Sequence, residues 1–560
     1  MKFRFIILSL ALMTMSGYGY DRVTGEQFAS RSEVIGQHGM VATSHPLATQ
    51  IGIDVLKKGG TAIDAAIAAN IALGLMEPTG SGIGGDLFAI VWDANEQKLF
   101  GLNASGPAPQ SLSLDYFKEQ NLTKIPPFGP LPVTVPGAVD GWVKLHEKFG
   151  NQSFSSLFQP TIDYARKGHP VSETIAYYLD RSKEVFKEYP NFSEVWMKDG
   201  ETAGKGDVFK NPQLADTLEI IAEKGRAGFY EGEVAKTIAD FIQAQGGFLT
   251  YDDLANFNSE WVDPVSANYR GYDVWELPPN GQGVVALQIL NILENFDLKE
   301  MGLFSSEYIH LFTEAKKLAF ADRAKHYADP AYSEIPIKQL ISKSYAKERA
   351  ALIDKDKAAL VDESGIPSGG DTIYLTAADK FGNMVSLIQS NYRGMGSGMV
   401  PPGLGFMLQD RGELFSLVEG HANVIEGGKR PFHTIIPAFV TKDGKPFISF
   451  GVMGGATQPQ AHAQIIINLI DFGYNLQEAG DAPRIVHSGS SQPTDEKMLN
   501  GGSLSLEKGF GSQIEEALLE KGHKIKYQKG IFGGYQAIML KEGVYFGASE
   551  SRKDGQASGY

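Results

Sequence analysis

The 560-residue chain has no cysteine. This absence excludes disulfide bridges, zinc–thiolate centres, cysteine nucleophiles and a cysteine-linked lipid anchor. A chain of this length can bury enough apolar surface to fold without cross-links. Basic residues are also in short supply, with 51 Lys and Arg against 66 Asp and Glu and a formal net charge of −15. This charge argues against a nucleic-acid-binding protein, which normally presents a basic surface.

Long apolar runs are missing beyond the N-terminus, and a membrane-spanning helix needs about 20 such residues. At the N-terminus, Lys2 and Arg4 precede the apolar residues 5–15, and small residues follow up to Gly19. This pattern is typical of a signal peptide, which we predict over residues 1–19, with an uncleaved anchor as the alternative. We therefore expect an exported protein, periplasmic or secreted, that makes no membrane contact after signal cleavage.

Motifs for metals and nucleotides are also missing. The histidines show no H-E-x-x-H and no paired ligand spacing, so we predict neither a metal site nor a cofactor. Residues 80–85 (Gly-Ser-Gly-Ile-Gly-Gly) match G-x-G-x-x-G. However, they follow a predicted helix and precede a predicted strand at 87–92, which reverses the order of a dinucleotide-binding turn. The absence of G-x-S-x-G disfavours an α/β-hydrolase.

The remaining pattern predicts a mixed helical and stranded protein. Residues 47–58 have helical spacing and end at a Gly-Gly pair, and Thr61 is a candidate cap for the helix that follows. Residues 150–350 are interpreted as mainly helical, with one long helix over 306–326. The polar, glycine-containing stretch 355–371 has the composition of a surface linker, and short strands follow it.

A predicted hairpin begins where this linker ends. Residues 372–378 and 384–390 have strand character, and 379–383 form a turn between them. A symmetric register about residue 381 places Thr372 opposite Ser390. If the bond before Thr372 is cut, the new α-amine, with a reference pKa of about 7.7–8.0, can act as base for its own Oγ. The alternative interpretation of Gly-Gly-Asp-Thr is an ordinary loop entering a strand.

Motifs along the whole chain carry a family resemblance. They are 59–66, 80–85, 135–137, 229–232, 320–323, 370–372, 429–431, 453–455, 482–484 and 547–549. In this order they resemble the γ-glutamyltranspeptidases, and on this resemblance the chain is identified as a divergent member of that family. The resemblance implies an α+β fold of the N-terminal-nucleophile hydrolase type, a four-layer αββα sandwich. It also implies autocatalytic cleavage into a large subunit (20–371) and a small subunit (372–560) that stay associated.

The resemblance also implies a mechanism. Thr372 Oγ attacks a γ-glutamyl amide of a small molecule such as glutathione, and the resulting acyl-enzyme passes its acyl group to water or an amine. Gly454 and Gly455 would supply backbone N–H groups to the oxyanion, and Ser390 would orient the nucleophile. A non-catalytic binding homologue is the alternative from a different functional class.

The substrate-contacting positions depart from the family pattern. The residues predicted to bind substrate are Ser105, Tyr392, Arg411, His433 and Thr434. Of these, Ser105 stands where the family has an arginine for the substrate α-carboxylate, and Arg411 replaces a glutamine. His433 and Thr434 replace paired serines. Leu414 replaces the aspartate that holds the substrate α-amine.

These replacements predict a different acyl group. Loss of a charge partner for a buried ammonium or carboxylate costs about 2–5 kcal/mol. Arg411 can instead bind a carboxylate through two hydrogen bonds, which favours glutaryl- or oxamate-type amides. In the alternative, Asp410 or Glu413 takes over from the missing aspartate. Residues 416–429 are shorter than the lid-bearing stretch of many members, which suggests a wider cleft for bulkier amines.

Overall fold

The computed structural model describes residues 21–360 and 371–560. The predicted signal peptide and residues 361–370 of the predicted linker lie outside the described residues. Within these two ranges, no helix combines the length and the apolar content needed to cross a bilayer.

Twenty strands and nineteen α-helices make up the described fold. The strands are β1 (Val34–Gly36), β2 (Met40–Thr43), β3 (Asp86–Asp93), β4 (Lys98–Ala104), β5 (His169–Pro170), β6 (Met197–Lys198), β7 (Glu201–Thr202), β8 (Val208–Phe209), β9 (Glu260–Val262), β10 (Val265–Tyr269), β11 (Tyr272–Glu276), β12 (Asp371–Ala378), β13 (Met384–Tyr392), β14 (Ala438–Lys442), β15 (Lys445–Met453), β16 (Ile485–Ser488), β17 (Ser503–Leu506), β18 (Gly534–Lys541), β19 (Val544–Ser549) and β20 (Gln556–Gly559). The helices are α1 (Pro46–Lys57), α2 (Ala62–Met76), α3 (Leu114–Glu119), α4 (Ala138–Phe149), α5 (Gln159–Lys167), α6 (Glu173–Phe186), α7 (Phe192–Trp196), α8 (Pro212–Lys224), α9 (Ala227–Tyr230), α10 (Gly232–Ala244), α11 (Tyr251–Ala255), α12 (Gly283–Leu293), α13 (Leu298–Met301), α14 (Ser306–His326), α15 (Ile337–Leu340), α16 (Lys343–Ala350), α17 (Gln458–Ile470), α18 (Leu476–Asp481) and α19 (Ser512–Glu520).

Two seven-stranded antiparallel sheets form the centre of the molecule. The first sheet has the order β20-β2-β12-β13-β3-β4-β9, and the second has the order β1-β19-β18-β15-β14-β11-β10. Each sheet takes strands from both sides of residue 371. A cut at this position would therefore leave two fragments that share both sheets.

Three apolar layers hold the sheets and helices together. Between the sheets lie large side chains that include Phe88, Tyr374, Phe439 and Ile538. The outer face of the first sheet packs against α1, α2 and α4. The outer face of the second sheet packs against α12 and α17, with α14 behind them. The predicted four-layer αββα sandwich is confirmed.

Helix predictions with clear end signals are confirmed. The long helix α14 spans Ser306–His326, as predicted. Thr61 caps α2, and its side chain and that of Asp64 form a reciprocal capping box.

Residues 150–350 are mainly helical, as predicted, but they also contain the two-residue strands β5–β8 and three longer strands between residues 260 and 276. Strands β10 and β11 form a hairpin in which Tyr269 pairs with Tyr272. Arg270 and Gly271 at its turn both have positive φ, +50° and +90°. These values are typical of the tight turn that joins twisted antiparallel strands. Both strands are short and partly exposed, so their apolar signal is weak.

Candidate active site

The hairpin of β12 and β13 places Thr372 beside Ser390. Ile373 pairs with Gln389, which confirms the predicted register about residue 381. Thr372 Oγ1 donates a hydrogen bond to Ser390 Oγ at 3.1 Å. The register shifts between Asp371 and Ile373, so that two residues of β13 lie opposite Thr372. Bulges of this kind are frequent next to active sites, because they change the direction of a side chain.

The glycine-rich segment 80–85 packs on the end of this hairpin. A side chain at Gly80 would place its Cβ 3.2–3.3 Å from the backbone N, C and O of Thr372. Gly80 O also accepts a hydrogen bond from Asn391 N at 3.4 Å. Close approach of two backbones is a common reason for glycine, and it accounts for this segment without a nucleotide.

The second sheet faces Thr372 across the central layer. Thr376 Oγ1 lies 2.5 Å from Ser449 Oγ, and the ring of Tyr374 lies against Gly451. Because side chains alternate along a strand, the next position on this face of β12 is Thr372, opposite Met453 and Gly454 at the end of β15. The fold therefore brings Thr372 towards the predicted oxyanion glycines.

Gly454 and Gly455 have positive φ values of +122° and +57°. Gly455 begins a short 3₁₀ turn, Gly455–Thr457, that leads directly into α17. In the described chain, neither amide N–H donates to a turn, loop or side-chain acceptor. Amide groups at the start of a helical segment carry partial positive charge and are suited to bind a developing oxyanion.

Arg411 is fully buried and forms no ion pair with a described residue. Its Nη1 donates to Thr434 Oγ1 at 2.7 Å, and its guanidinium lies 4.5 Å from the centre of the Tyr392 ring. Its Nε and Nη2 have no hydrogen-bond partner among the described residues. Burial lowers the pKa of Arg411 to about 10, which still leaves it cationic at neutral pH. The structure thus brings together three of the residues predicted to bind substrate.

Tyr392, which covers Arg411, has a φ of +80°. A large side chain in this left-handed region carries backbone strain, and such strain often accompanies functional sites. The position at the end of β13, directly after the bulge, explains how the chain turns the ring over the guanidinium.

His433 and Asp86 form a second buried pair. His433 Nε2 lies 3.0 Å from Asp86 Oδ2, while His433 Nδ1 accepts a hydrogen bond from Ile435 N. The proton must therefore be on Nε2, which donates to the carboxylate. Burial lowers the pKa of His433 well below its usual value, so the ring is neutral. His433 thus contacts protein groups on both ring nitrogens.

Asp86 is a residue that the sequence analysis missed. Its Oδ1 accepts hydrogen bonds from Gln409 Nε2, Gly106 N and Gly137 N at 2.9–3.1 Å. Burial raises the pKa of Asp86 to about 7, and the nearby charge of Arg411 opposes this shift. The available signal was its place at the start of β3, directly after the glycine-rich segment.

Ser105 and Leu414 also lie in buried positions. Ser105 Oγ donates to Asn103 Oδ1 at 2.8 Å and accepts from Asn280 Nδ2 at 3.0 Å. These bonds occupy the hydroxyl, and its proposed contact with substrate stays a prediction. Leu414, with Tyr392, lines a cavity of about 240 Å³.

The acidic residues near Leu414 have other partners. Both carboxylate oxygens of Glu413 accept hydrogen bonds from the Arg393 guanidinium, one at 2.5 Å from Nη2. Asp410 is fully buried, and its Oδ1 accepts from Arg393 N at 3.1 Å. Burial, reinforced by the negative charge of Glu413, raises the pKa of Asp410 well above its usual value. The guanidinium of Arg393 already balances the charge of Glu413. Glu413 is therefore a weak candidate to replace the missing aspartate as a partner of a substrate ammonium.

One cluster in the described residues has ligand atoms spaced for a metal. His310, Glu314 and His523 place one candidate atom each within 4.8 Å of one another. However, His310 Nδ1 lies 2.8 Å from His523 Nε2, and Lys317 Nζ lies 2.7 Å from Glu314 Oε1. An ammonium at this distance competes with a cation for the carboxylate, so these contacts favour a structural role.

Ser390 offers a direct test of the hydrogen bond to Thr372. Its Oγ also accepts from Tyr392 N at 2.9 Å, so Ser390→Ala removes the acceptor of two buried donors. An unsatisfied buried donor costs about 1–3 kcal/mol, so we expect kcat to fall about 10- to 100-fold. Ser390→Thr keeps the hydroxyl and is the matched control. Equal kcat for the alanine and threonine variants would show that this bond does not position the nucleophile.

The αββα sandwich with a threonine hydroxyl at the start of a central strand is the architecture of an N-terminal-nucleophile hydrolase. The chain belongs to the gamma-glutamyltranspeptidase family, whose model matches residues 48–560. It is 38% identical over 535 residues to the glutathione hydrolase-like YwrD proenzyme of Bacillus subtilis strain 168, covering 94% of this chain and 99% of the relative.

Relatives named as acylases are similar to the chain over nearly its whole length. It is 34% identical to the acylase ACY 1 proenzyme of Pseudomonas sp. strain SE83, with 93% of each chain covered. The crystal structure of a cephalosporin acylase from Bacillus halodurans superposes with a TM-score of 0.88 at 43% identity, covering 97% of this chain and 99% of that one. The chain is therefore an enzyme of this hydrolase family, and the relatives' names span more than one substrate.

Proposed function

We propose that this enzyme is an amidohydrolase whose acyl substrates end in a carboxylate bound by Arg411 and need no α-amine. The observation that carries this proposal is the fully buried guanidinium, which has two nitrogens without a hydrogen-bond partner and no ion pair in the described chain. The carboxylates of Asp86, Asp410 and Glu413 act on this charge without forming an ion pair with it. A buried charge with no direct ion-pair partner is costly, and a substrate carboxylate would offset part of that cost.

The reaction begins with cleavage of the bond before Thr372. The free α-amine then accepts the proton of Oγ, which attacks the amide carbonyl of the substrate. The N–H groups of Gly454 and Gly455 stabilise the oxyanion, with each such donor contributing about 2.7–4 kcal/mol. The protonated α-amine returns the proton to the departing amine. Water then attacks the ester on Thr372, releases the acid and restores the hydroxyl.

Two features separate this acyl group from a γ-glutamyl group. Leu414 occupies the position at which the family resemblance places an aspartate, and Glu413 is paired with Arg393. A substrate ammonium would therefore meet an apolar side chain. The relatives named as acylases support an acyl substrate other than glutathione.

γ-Glutamyl hydrolysis is the second candidate. The glutathione hydrolase-like relative favours it, as does Asp410 Oδ2, which is buried and has no partner among the described residues. In this candidate, Asp410 receives the substrate ammonium in place of the missing aspartate.

The proposal extends to maturation. Residues 1–19 direct export to the periplasm or exterior, and cleavage yields fragments 20–371 and 372–560. The fragments remain one unit because both sheets contain strands from each.

The acyl group is tested with three p-nitroanilides that share a leaving group. Glutaryl-p-nitroanilide has the carboxylate alone, the γ-glutamyl compound adds the α-amine, and the butyryl compound has neither. We expect kcat/KM for the glutaryl amide to exceed the other two by about 30-fold or more, since an unmatched buried charge costs about 2–5 kcal/mol. A strong preference for the γ-glutamyl amide would overturn the proposal in favour of the second candidate.

A further inference from the structure

A second cavity, of about 180 Å³, lies beside Gly454 on the side of α14. The residues that line it include Lys316, Phe320, Gly454, His487, Ser490 and Gln492. Because Gly454 is a proposed oxyanion donor, this cavity adjoins the point at which the scissile amide would lie.

Lys316 is a buried cation whose partners are all neutral. Its Nζ donates to His487 Nδ1 at 3.1 Å, to His487 O at 3.0 Å and to Ser490 Oγ at 2.6 Å. His487 Nε2 lies 2.8 Å from Gly501 O, so the ring proton is on Nε2 and Nδ1 is an acceptor. No carboxylate of the described chain forms an ion pair with Lys316, although its side chain is only 1% exposed.

Arg323 adds a second buried cation two helical turns later. Its Nη1 donates to Gln282 Oε1 and its Nη2 to Gln492 Oε1, both at 2.6 Å. Its Nε has no partner in the described structure. The ring of Phe320 contacts both cations. Its centre lies 3.7 Å from Lys316 Nζ and 3.8 Å from the guanidinium carbon of Arg323. The two positive charges therefore share one face of α14 beside the cavity.

Two other buried cations of the described chain have acidic partners, unlike Arg411 and Arg323. Lys317 pairs with Glu314 at 2.7 Å, and Arg484 pairs with Glu550 at 2.9 Å. Acidic residues are in excess, with a formal net charge of −15. Unneutralised charge at Lys316 is thus a local feature of the site, and it is costly unless an anion joins it. Burial accordingly lowers the pKa of Lys316 well below its usual value.

We propose that this cavity binds a carboxylate on the amine half of the substrate, the half that leaves when the amide is cleaved. The inference rests on the proposed function, since it assigns the two halves to opposite sides of Gly454. The acyl carboxylate goes to Arg411, and the amine carboxylate goes to the Lys316 side. The substrate class is therefore an amide whose amine half is an amino acid, a peptide or another amine with a carboxylate.

Two glutaryl amides that differ only in the charge of the amine half test this subsite. They are the amides of 4-aminobenzoate and of 4-aminobenzamide, and the processed wild-type enzyme is used. We expect kcat/KM about 10-fold or more higher for the aminobenzoate amide, since hydrogen bonds to charged groups contribute about 1.5–3 kcal/mol. Equal values, or a preference for the neutral amide, would overturn the inference.

Substitutions in α14 test whether Lys316 causes the preference for the anionic amide. Lys316→Met should remove the preference for the anionic amide, whereas Lys316→Arg should retain most of it. Lys325→Met, at an exposed position of the same helix, is the matched control and should keep the wild-type ratio. An unchanged ratio in folded Lys316→Met would also overturn the inference. Folding is checked by melting temperature and by the presence of both fragments.

A binding measurement tests this subsite independently of the acyl group assigned under the proposed function. Calorimetric titration of wild-type enzyme with free 4-aminobenzoate and 4-aminobenzamide needs no turnover. Tighter binding of the benzoate would support the subsite even if glutaryl amides were not hydrolysed, an outcome that would defeat only the acyl assignment. Equal binding of the two amines would overturn the subsite while leaving the acyl assignment intact. This titration tests the subsite even if Lys316→Met does not fold, because it uses the wild-type enzyme.

Discussion

Thr372→Ala is expected to yield a single uncut chain with no amidase activity. The substitution removes the hydroxyl that is proposed both to break the preceding peptide bond and to attack the substrate. Loss of a covalent nucleophile typically lowers kcat by on the order of 10⁶-fold. Gel electrophoresis of the purified variant measures the first effect, and hydrolysis of glutaryl-p-nitroanilide measures the second.

Thr372→Ser is the matched control, because it retains the hydroxyl and loses only a methyl group. We expect it to mature into two fragments, the smaller of which begins at residue 372, and to hydrolyse the same substrate more slowly. N-terminal sequencing of the small fragment locates the cut. Active wild-type enzyme without a terminus at residue 372, or a fully active alanine variant, would refute the mechanism.

Arg411→Gln is expected to lower kcat/KM for glutaryl-p-nitroanilide by about 30- to 5000-fold, which corresponds to the 2–5 kcal/mol of a lost buried charge partner. Glutamine can still donate to Thr434 Oγ1, the one hydrogen-bond partner of the guanidinium in the described chain. The variant therefore removes the charge with limited disturbance of the packing under Tyr392.

A neutral substrate serves as the control for Arg411. The p-nitroanilide of glutaric acid monoamide has the same length but lacks the charge. We expect wild-type enzyme to prefer the glutaryl compound and Arg411→Gln to lose that preference. Arg411→Lys should be intermediate, because lysine keeps the charge but cannot bind a carboxylate through two nitrogens of one plane. A variant that hydrolyses both compounds as wild type does would show that Arg411 does not bind the acyl group.

Local signals in the sequence account for the elements that were predicted well. The turn 379–383 fixes the register of β12 and β13, and Thr61 fixes the start of α2. The glycine-rich segment was correctly excluded as a nucleotide site from its order relative to helix and strand alone. Its actual partner, the backbone of Thr372, lies nearly 300 residues away and could not be deduced from periodicity.

Most contacts between the charged residues of the site could not be predicted from the sequence. Asp86 and His433 are 347 positions apart, and Lys316 and His487 are 171 apart. No spacing rule connects such residues, because the two sheets and α14 bring them together. The lack of an ion pair for Arg411 in the described chain is a three-dimensional property, since acidic residues stand close to it in sequence at Asp410 and Glu413. Only the structure shows that Arg393 engages both of them.

Because the two halves share both sheets, cleavage changes how the protein can refold. An uncut chain acquires its native pairing as one polymer, whereas separated halves would have to find each other in solution and interleave strand by strand. The proposed break thus turns a first-order renaturation into a second-order one. After this cleavage, the stability of the protein would be kinetic. It would depend on a slow rate of unfolding, because the separated fragments could no longer refold as a single chain.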